Sequence, residues 1–152
     1  MDKLDAKLLN LVQADSARTA DSLAEEVPLS PSAITRRLKR MREDGIIVRE
    51  VAVVSPALRE KRVTALITIQ LDRHTPAEWV GLKRMLISAP EVQVCMEITG
   101  SADVLVIAST RDVAHFNDFA DRIGSHPLVR RYESTFCKRE VKMSLAVEFA
   151  ED

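Results

Sequence analysis

From Val63 onward the apolar positions switch repeatedly between a period of two and a period near 3.6, and this alternation restricts the fold more than any other feature. VTALITIQL, Val63 to Leu71, reads as a strand. Thr75-Pro76-Ala77-Glu78 has the spacing of a capping box with proline at the first helical position, and Trp79, Leu82 and Leu86 then mark a buried helical face. Val92 to Thr99 alternates as a strand. Gly100-Ser101-Ala102 reads as a tight turn, and Asp103 to Ser109 as a very apolar strand. Asp112 caps a second helix, with Val113, Phe116, Ala120 and Ile123 inward and Gly124 as its stop. A last extended region runs from Val129 to Phe149, broken near Lys138 to Lys142. The order β-α-β-β-α-β is the ferredoxin-like arrangement, one antiparallel sheet with two helices on one face.

A sheet covered on one face should turn polar on the other. Yet DVLVIAS is apolar on both sides, and Met143, Leu145, Val147 and Phe149 fall on a single face. A second apolar face in so small a domain predicts self-association. A well-buried central strand accounts for VLVIA on its own.

Three short helices fit the residues before this sheet. Leu4, Leu8, Leu11 and Val12 share one helical face, with Asp2 as cap and Asp15-Ser16 near the end. Asp21 caps a second helix that turns Leu23, Ala24 and Val27 inward and stops at Pro28. The third opens with Ser30 as N-cap and Pro31 at the first helical position, buries Ile34, Leu38 and Met41, and stops at Gly45. GIIVREVAVVSP follows as extended chain, and SPALREKR, Ser55 to Arg62, reads as an exposed hinge. These divisions give residues 1–54 as a helical domain, 55–62 as linker and 63–152 as the sheet domain.

Charge is unevenly placed. The whole chain carries −1. Residues 1–28 hold three bases against six acids, whereas residues 29–42 hold Arg36, Arg37, Lys39, Arg40 and Arg42 with no acid. A local patch of this kind binds phosphate even when the average charge does not. The third helix turns Ser32, Thr35, Arg36 and Lys39 outward, with Arg37 and Arg40 beside them. Hydroxyls and guanidinium groups near a helix N-terminus suit base edges and phosphates of a major groove. With the short helix before it, this makes a helix-turn-helix that enters double-stranded DNA by the leading end of its second helix. The competing reading is a solvated amphipathic surface helix, which ordinarily mixes the two signs.

Other classes find little support. No apolar run approaches the ~20 residues of a membrane span, and MDKLDAKLLN lacks an apolar signal core, so a cytoplasmic location is expected. Cys95 and Cys137 are read as reduced, buried strand residues. His74, His115 and His126 are scattered, and there is no metal-ligand spacing, nucleophile elbow or phosphate loop. No catalytic residue, metal or cofactor is therefore expected.

The pieces LDAKLLNLVQAD, LAEEVPLSPSAITRRLKRMREDGII, VAVVSP, ITGSADVLV and REVKMSLAV, in that order, resemble the Lrp/AsnC family, also called feast/famine regulators. The resemblance implies an α+β chain: an N-terminal winged-type helix-turn-helix joined by a hinge strand to a ferredoxin-like ligand-sensing domain, often called RAM. It implies a transcription regulator that dimerises through the sensing domain, often stacks into octamers, and takes an amino acid or related small molecule as effector. The recognition-helix pattern falls on Ser30, Pro31, Ser32, Arg37, Leu38 and Gly45. The effector-loop pattern G-x-x-D falls on Gly100, Ser101, Ala102 and Asp103, and Ser134 lies where many members carry a threonine near the effector. A glycine turn offers backbone N–H groups to a carboxylate, and Asp103 accepts from an ammonium group. The alternative is a plain hairpin that Asp103 caps.

The chain departs from the family pattern in four places. Pro28 replaces the glycine of the turn between the DNA-binding helices, Val104 replaces an aromatic, Arg49-Glu50 replaces a glycine-aromatic pair, and REKR replaces a more apolar segment. Two rival readings remain: an oligomeric ligand-sensing module without DNA binding, and an enzyme resembling sirohaem decarboxylases. The latter use histidine and arginine in the strand that reads VQVCMEIT here, which holds no histidine.

Overall fold

The computed structural model describes residues 1–72 and 76–150. The chain divides into two compact units. One combines Met1–Val53 with the segment from Lys142 onward, and the other spans Val54–Val141.

In the first unit α1, Lys3–Ala14, opens with a reciprocal capping box: Asp5 N–H donates to Asp2 (2.8 Å) and Asp2 N–H donates to Asp5 (3.2 Å). The second helix, α2 at Ala20–Ala24, starts earlier than Asp21. Thr19 is its cap and accepts from Ser22 N–H (3.2 Å), so Asp21 stands inside the first turn, where its charge suits the helix N-terminus. Pro28 lies in a very tight turn, in which Leu29 N–H donates to Val27 O (2.7 Å). A three-residue turn of this kind needs a φ close to the one proline imposes, so no glycine is required there.

The third helix, α3, covers Pro31–Glu43, with Ser30 as cap. Gly45 ends it at φ +71°, a conformation that favours glycine, and Ile46 N–H returns to Met41 O (2.8 Å). Leu8, Leu9, Leu23, Val27, Ile34, Leu38 and Met41 form one buried cluster. The GIIVREVAVVSP segment forms no strand.

The C-terminal segment behaves differently from the sheet extension expected of it. Asn10 donates to Phe149 O and accepts from Phe149 N–H, both at 2.9 Å. Gln13 makes the same pair with Val147, again at 2.9 Å. Amides one helical turn apart on α1 thus bond to alternate residues of an extended chain. Phe149 packs on the buried cluster, while Met143, Leu145 and Val147 remain exposed. The single apolar face expected along 143–149 is therefore not a sheet face.

In the second unit the expected hinge contains a one-turn helix, α4 at Pro56–Arg59, begun by proline and tied by Arg59 to Glu140. The sheet comprises β1 (Val63–Leu71), β2 (Val92–Glu97), β3 (Val104–Thr110) and β4 (Val129–Phe136), ordered β2-β3-β1-β4 with every pair antiparallel. Helices α5 (Pro76–Ser88) and α6 (Val113–Gly124) cover one face. Asp112 caps α6, accepting from His115 N–H (2.8 Å). The capping box proposed for α5 includes Thr75, which lies outside the described residues.

Ala65, Ile67, Ile69, Val104, Val106 and Ala108 point into the core against Leu82, Leu86, Phe116, Phe119 and Ile123. The fourth strand stops at Phe136 because its partner β1 begins at Val63. Cys137 N–H makes a last bond to Thr64 O (2.8 Å), and Cys137, expected to be buried, is exposed. Cys95 is half-buried, and burial raises its thiol pKa. On the face away from the helices Leu66, Val94, Met96, Leu105 and Ile107 lie together, with Leu66 40% and Met96 53% exposed.

The amide ladder on α1 makes a measurable claim. Asn10→Ala removes two partly buried hydrogen bonds, each worth about 0.5–1.5 kcal/mol. Urea denaturation should show the first unit less stable by about that much per bond, and limited proteolysis should cut the C-terminal segment faster.

Candidate functional site

The outward surface of α3 is set by what its inward side must do. Ile34, Leu38 and Met41 are buried against α1 and α2, so the helix cannot roll without exposing them. Ionic contacts add a second restraint. Asp5 is 2% exposed. Its carboxylate takes Arg37 at 2.7 Å on one oxygen and Arg40 at 2.7 Å on the other. Arg37 also reaches Asp2 at 2.6 Å.

Hydrogen bonds from Arg37 and from Asp5 N–H hold the Asp2 carboxyl below the usual carboxylate range. At Asp5 burial acts the other way. The Arg37 hydrogen bond, Asp2 N–H and the Arg40 charge outweigh it, and its pKa is also lowered. The two carboxylates in turn raise the guanidinium pKa of Arg37.

This sorts the seven side chains that the sequence singled out. Ser30 serves as the cap: its hydroxyl accepts from Ala33 N–H (3.3 Å) and lies 3.1 Å from the Ser32 hydroxyl. Thr35 donates to Pro31 O (2.9 Å), which leaves its oxygen as an acceptor on the exposed surface. Arg37 belongs to the clamp, its side chain 23% exposed. Arg40 is shared, held by Asp5 yet half exposed. Lys39 is 73% exposed and sits 3.7 Å from Glu43, a pair of little energetic weight. Arg36 is exposed and forms no ion pair among the described residues. Ser32, Thr35, Arg36 and Lys39 therefore make one open polar surface at the leading half of α3. Past them, Arg42 is paired with Glu50 at 2.6 Å. Asp2 and Asp5 were not foreseen as part of this surface. Their sequence signal was the capping box, which explains only half of what they do.

The turn between β2 and β3 is the second place the sequence marked. Gly100 has φ +133°, which favours glycine, and open space lies where a side chain would begin. The backbone N–H groups of Gly100 and Ser101 make no hydrogen bond among the described residues. Ala102 is buried. Asp103 closes the turn twice through its backbone, from Ile98 N–H and to Ile69 O, both 2.9 Å. Its side chain accepts from Leu71 N–H (2.8 Å).

Two residues absent from the sequence reading join the turn. Gln70 donates to Ser101 O (2.7 Å) and accepts from Arg130 (3.0 Å). They come from β1 and β4, and only the sheet brings them to residues 100–103. Ser134 is placed apart: it pairs with Ile67, and its hydroxyl is buried without a hydrogen-bond partner. Chemically the turn offers free N–H groups, a carboxylate and a nearby guanidinium. Among the described residues no group of histidine, cysteine and acidic side chains is arranged to hold a metal ion.

Comparison with known proteins finds relatives for both parts of the chain. Residues 64–147 match the family model described as the Lrp/AsnC ligand binding domain, and residues 1–48 match the winged helix-turn-helix DNA-binding model. The chain is 34% identical to an uncharacterized HTH-type transcriptional regulator, y4tD, of Sinorhizobium fredii, over 80% of this chain and 72% of that protein. It is 28% identical to the DNA-binding transcriptional activator DecR of Escherichia coli, over 97% of each. The transcriptional regulator NMB0573 of Neisseria meningitidis, solved as a complex with L-Met, superposes with a TM-score of 0.85 at 31% identity, over 97% of this chain and 96% of that one.

The clamp predicts a linked pH effect. Asp2 and Asp5 both titrate below their ordinary range when folded, so their stabilisation is complete above the unfolded value of about 4. It is lost as pH falls through the lowered folded values. Asp5→Asn should cost about 2 kcal/mol at neutral pH, the scale of hydrogen bonds to charged groups. It should also flatten the acid limb of a stability-against-pH curve measured by urea denaturation.

Proposed function

The chain belongs to the Lrp/AsnC family of transcriptional regulators, and from this we propose that it binds double-stranded DNA sequence-specifically through Ser32, Thr35, Arg36 and Lys39 of α3. Arg40 contributes to phosphates and Arg37 holds the helix in place. The observation that carries this reading is the exposed Arg36, without an ion pair among the described residues, on a helix fixed from behind by Asp5 and by the apolar cluster. An arginine in that setting reaches guanine edges or phosphates without having to break an ion pair first.

Regulation by a small molecule is the second part of the proposal. An amino acid, by analogy with the methionine complex of the Neisseria protein, meets the turn at Gly100–Asp103. The N–H groups of Gly100 and Ser101 favour its carboxylate, and Asp103 favours its ammonium group. The apolar outer sheet face, centred on Leu66, Met96, Leu105 and Ile107, supports a homodimer, with dimers stacking to octamers as in the family; a regulator of this family works in the cytoplasm, beside its DNA. Residues 1–54 then act as the DNA-binding part, 55–62 as the hinge and 63–152 as the sensing and assembly part. A dimer carries two α3 helices, which fit pseudo-palindromic half-sites about one helical turn apart or a multiple of it.

Fluorescence anisotropy on duplex DNA tests the first part. Affinity should fall steeply with salt as phosphate contacts are lost. Arg36→Ala should weaken binding by about 1–3 kcal/mol with unchanged folding, while Arg37→Ala should lower stability first. A protein with no duplex affinity even at low salt is instead the sensing module alone. Thermal-shift measurement with each of the twenty amino acids tests the second part. Asp103→Asn keeps an acceptor for Leu71 N–H but removes the charge, so it should reduce the shift given by the effector.

A further inference from the structure

The second unit also holds a polar cluster that neither α3 nor the Gly100 turn uses. Glu91 sits in the loop between α5 and β2 and is 5% exposed. Its carbonyl accepts from Ser109 N–H (2.8 Å), which pins the loop to β3. The carboxylate turns toward α6, where Oε1 meets Nε2 of His115 at 3.0 Å and is bonded by Arg122. Oε2 has no hydrogen-bond partner, and neither does the shielded Nδ1 of His115. Burial opposes ionisation of Glu91, but its own N–H, His115 and Arg122 outweigh burial and hold the carboxyl below its ordinary range.

Orphaned buried polar atoms cost free energy and usually mark a missing partner. Here two occur in one cluster, and both ask for a donor: a carboxylate oxygen accepts, and Nδ1 accepts when Nε2 carries the proton directed at Glu91.

Glu91 and His115 line a cavity of about 730 Å³ together with Met85, Asp118, Asp121 and Arg122. It opens broadly to solvent, with room for a short ligand and its water rather than for a single ion. Three carboxylates face one guanidinium, so the site attracts positive charge. Asp118 and Asp121 are exposed and form no ion pair among the described residues. Met85 gives one wall an apolar surface.

We propose that this cavity binds a small aliphatic diamine. One ammonium group donates to Glu91 Oε2, the methylene chain lies along Met85, and the second ammonium group faces Asp118 and Asp121. Arg122 stays on Glu91 Oε1 and over the Phe119 ring, so the ammonium group takes the other carboxylate oxygen without displacing it.

Titration calorimetry of the full chain without DNA tests the site apart from any regulatory role. The probe is 1,4-diaminobutane, with butylamine as the single-charge control. Saturable binding should appear for the diamine and be at least tenfold weaker for butylamine. Glu91→Gln should weaken diamine binding at least tenfold. Because that buried change can harm folding, the exposed pair Asp118→Asn with Asp121→Asn provides a second arm, checked by circular dichroism, and should bring the diamine down to the level of butylamine. Absence of saturable heat, equal binding of the two amines, or a diamine affinity unchanged in folded variants would overturn the proposal.

Discussion

Asp5 sits at the centre of the first unit. It is a nearly fully buried carboxylate that caps the start of α1 and holds two guanidinium groups of α3. A buried carboxylate is tolerable only when its charge is met, and here both oxygens are occupied by cations from another helix. The arrangement couples two properties that are usually separate. The angle at which α3 presents its outer side is fixed, and the positive charge left to face outward is limited to what the clamp does not consume. Arg36 and Lys39 remain, with Arg40 in part.

Much of this architecture was legible from residue types. The helix signals at Asp2, Ser30-Pro31 and Gly45, the alternation of β1, and the order of strands and helices all reflect local chemistry that acts within a few residues. The split among the bases of α3 was not legible. Four residues along the same helix, acids stand only after Lys39 (Glu43) and Arg40 (Asp44), and none is offered to Arg37. Its partners Asp2 and Asp5 stand more than thirty residues earlier and become neighbours only when α1 and α3 pack together. Gln70 and Arg130 escaped notice near the Gly100 turn for the same reason. They lie on β1 and β4, and sheet pairing alone unites them.

The C-terminal stretch shows local pattern misleading for a different cause. Met143, Leu145, Val147 and Phe149 alternate as a strand should, and the backbone there is extended. Alternation, however, states only that a chain is extended, not which groups will satisfy it. With β1 ending the available ladder at Val63, residues beyond Cys137 find no strand to join. Asn10 and Gln13 supply donors and acceptors at matching intervals instead. The turn at Pro28 teaches a related lesson: a position that takes glycine in one turn geometry accepts proline once the turn tightens around Leu29 and Val27.

That ladder also sets an order of events during synthesis. The ribosome makes α1, α2 and α3 first, and their apolar cluster can condense while the sheet is still being translated. Asn10 and Gln13, though, wait for Val147 and Phe149, more than 130 residues downstream. The half of the molecule made earliest is thus completed late, so a nascent chain has its helices long before it has their final cover.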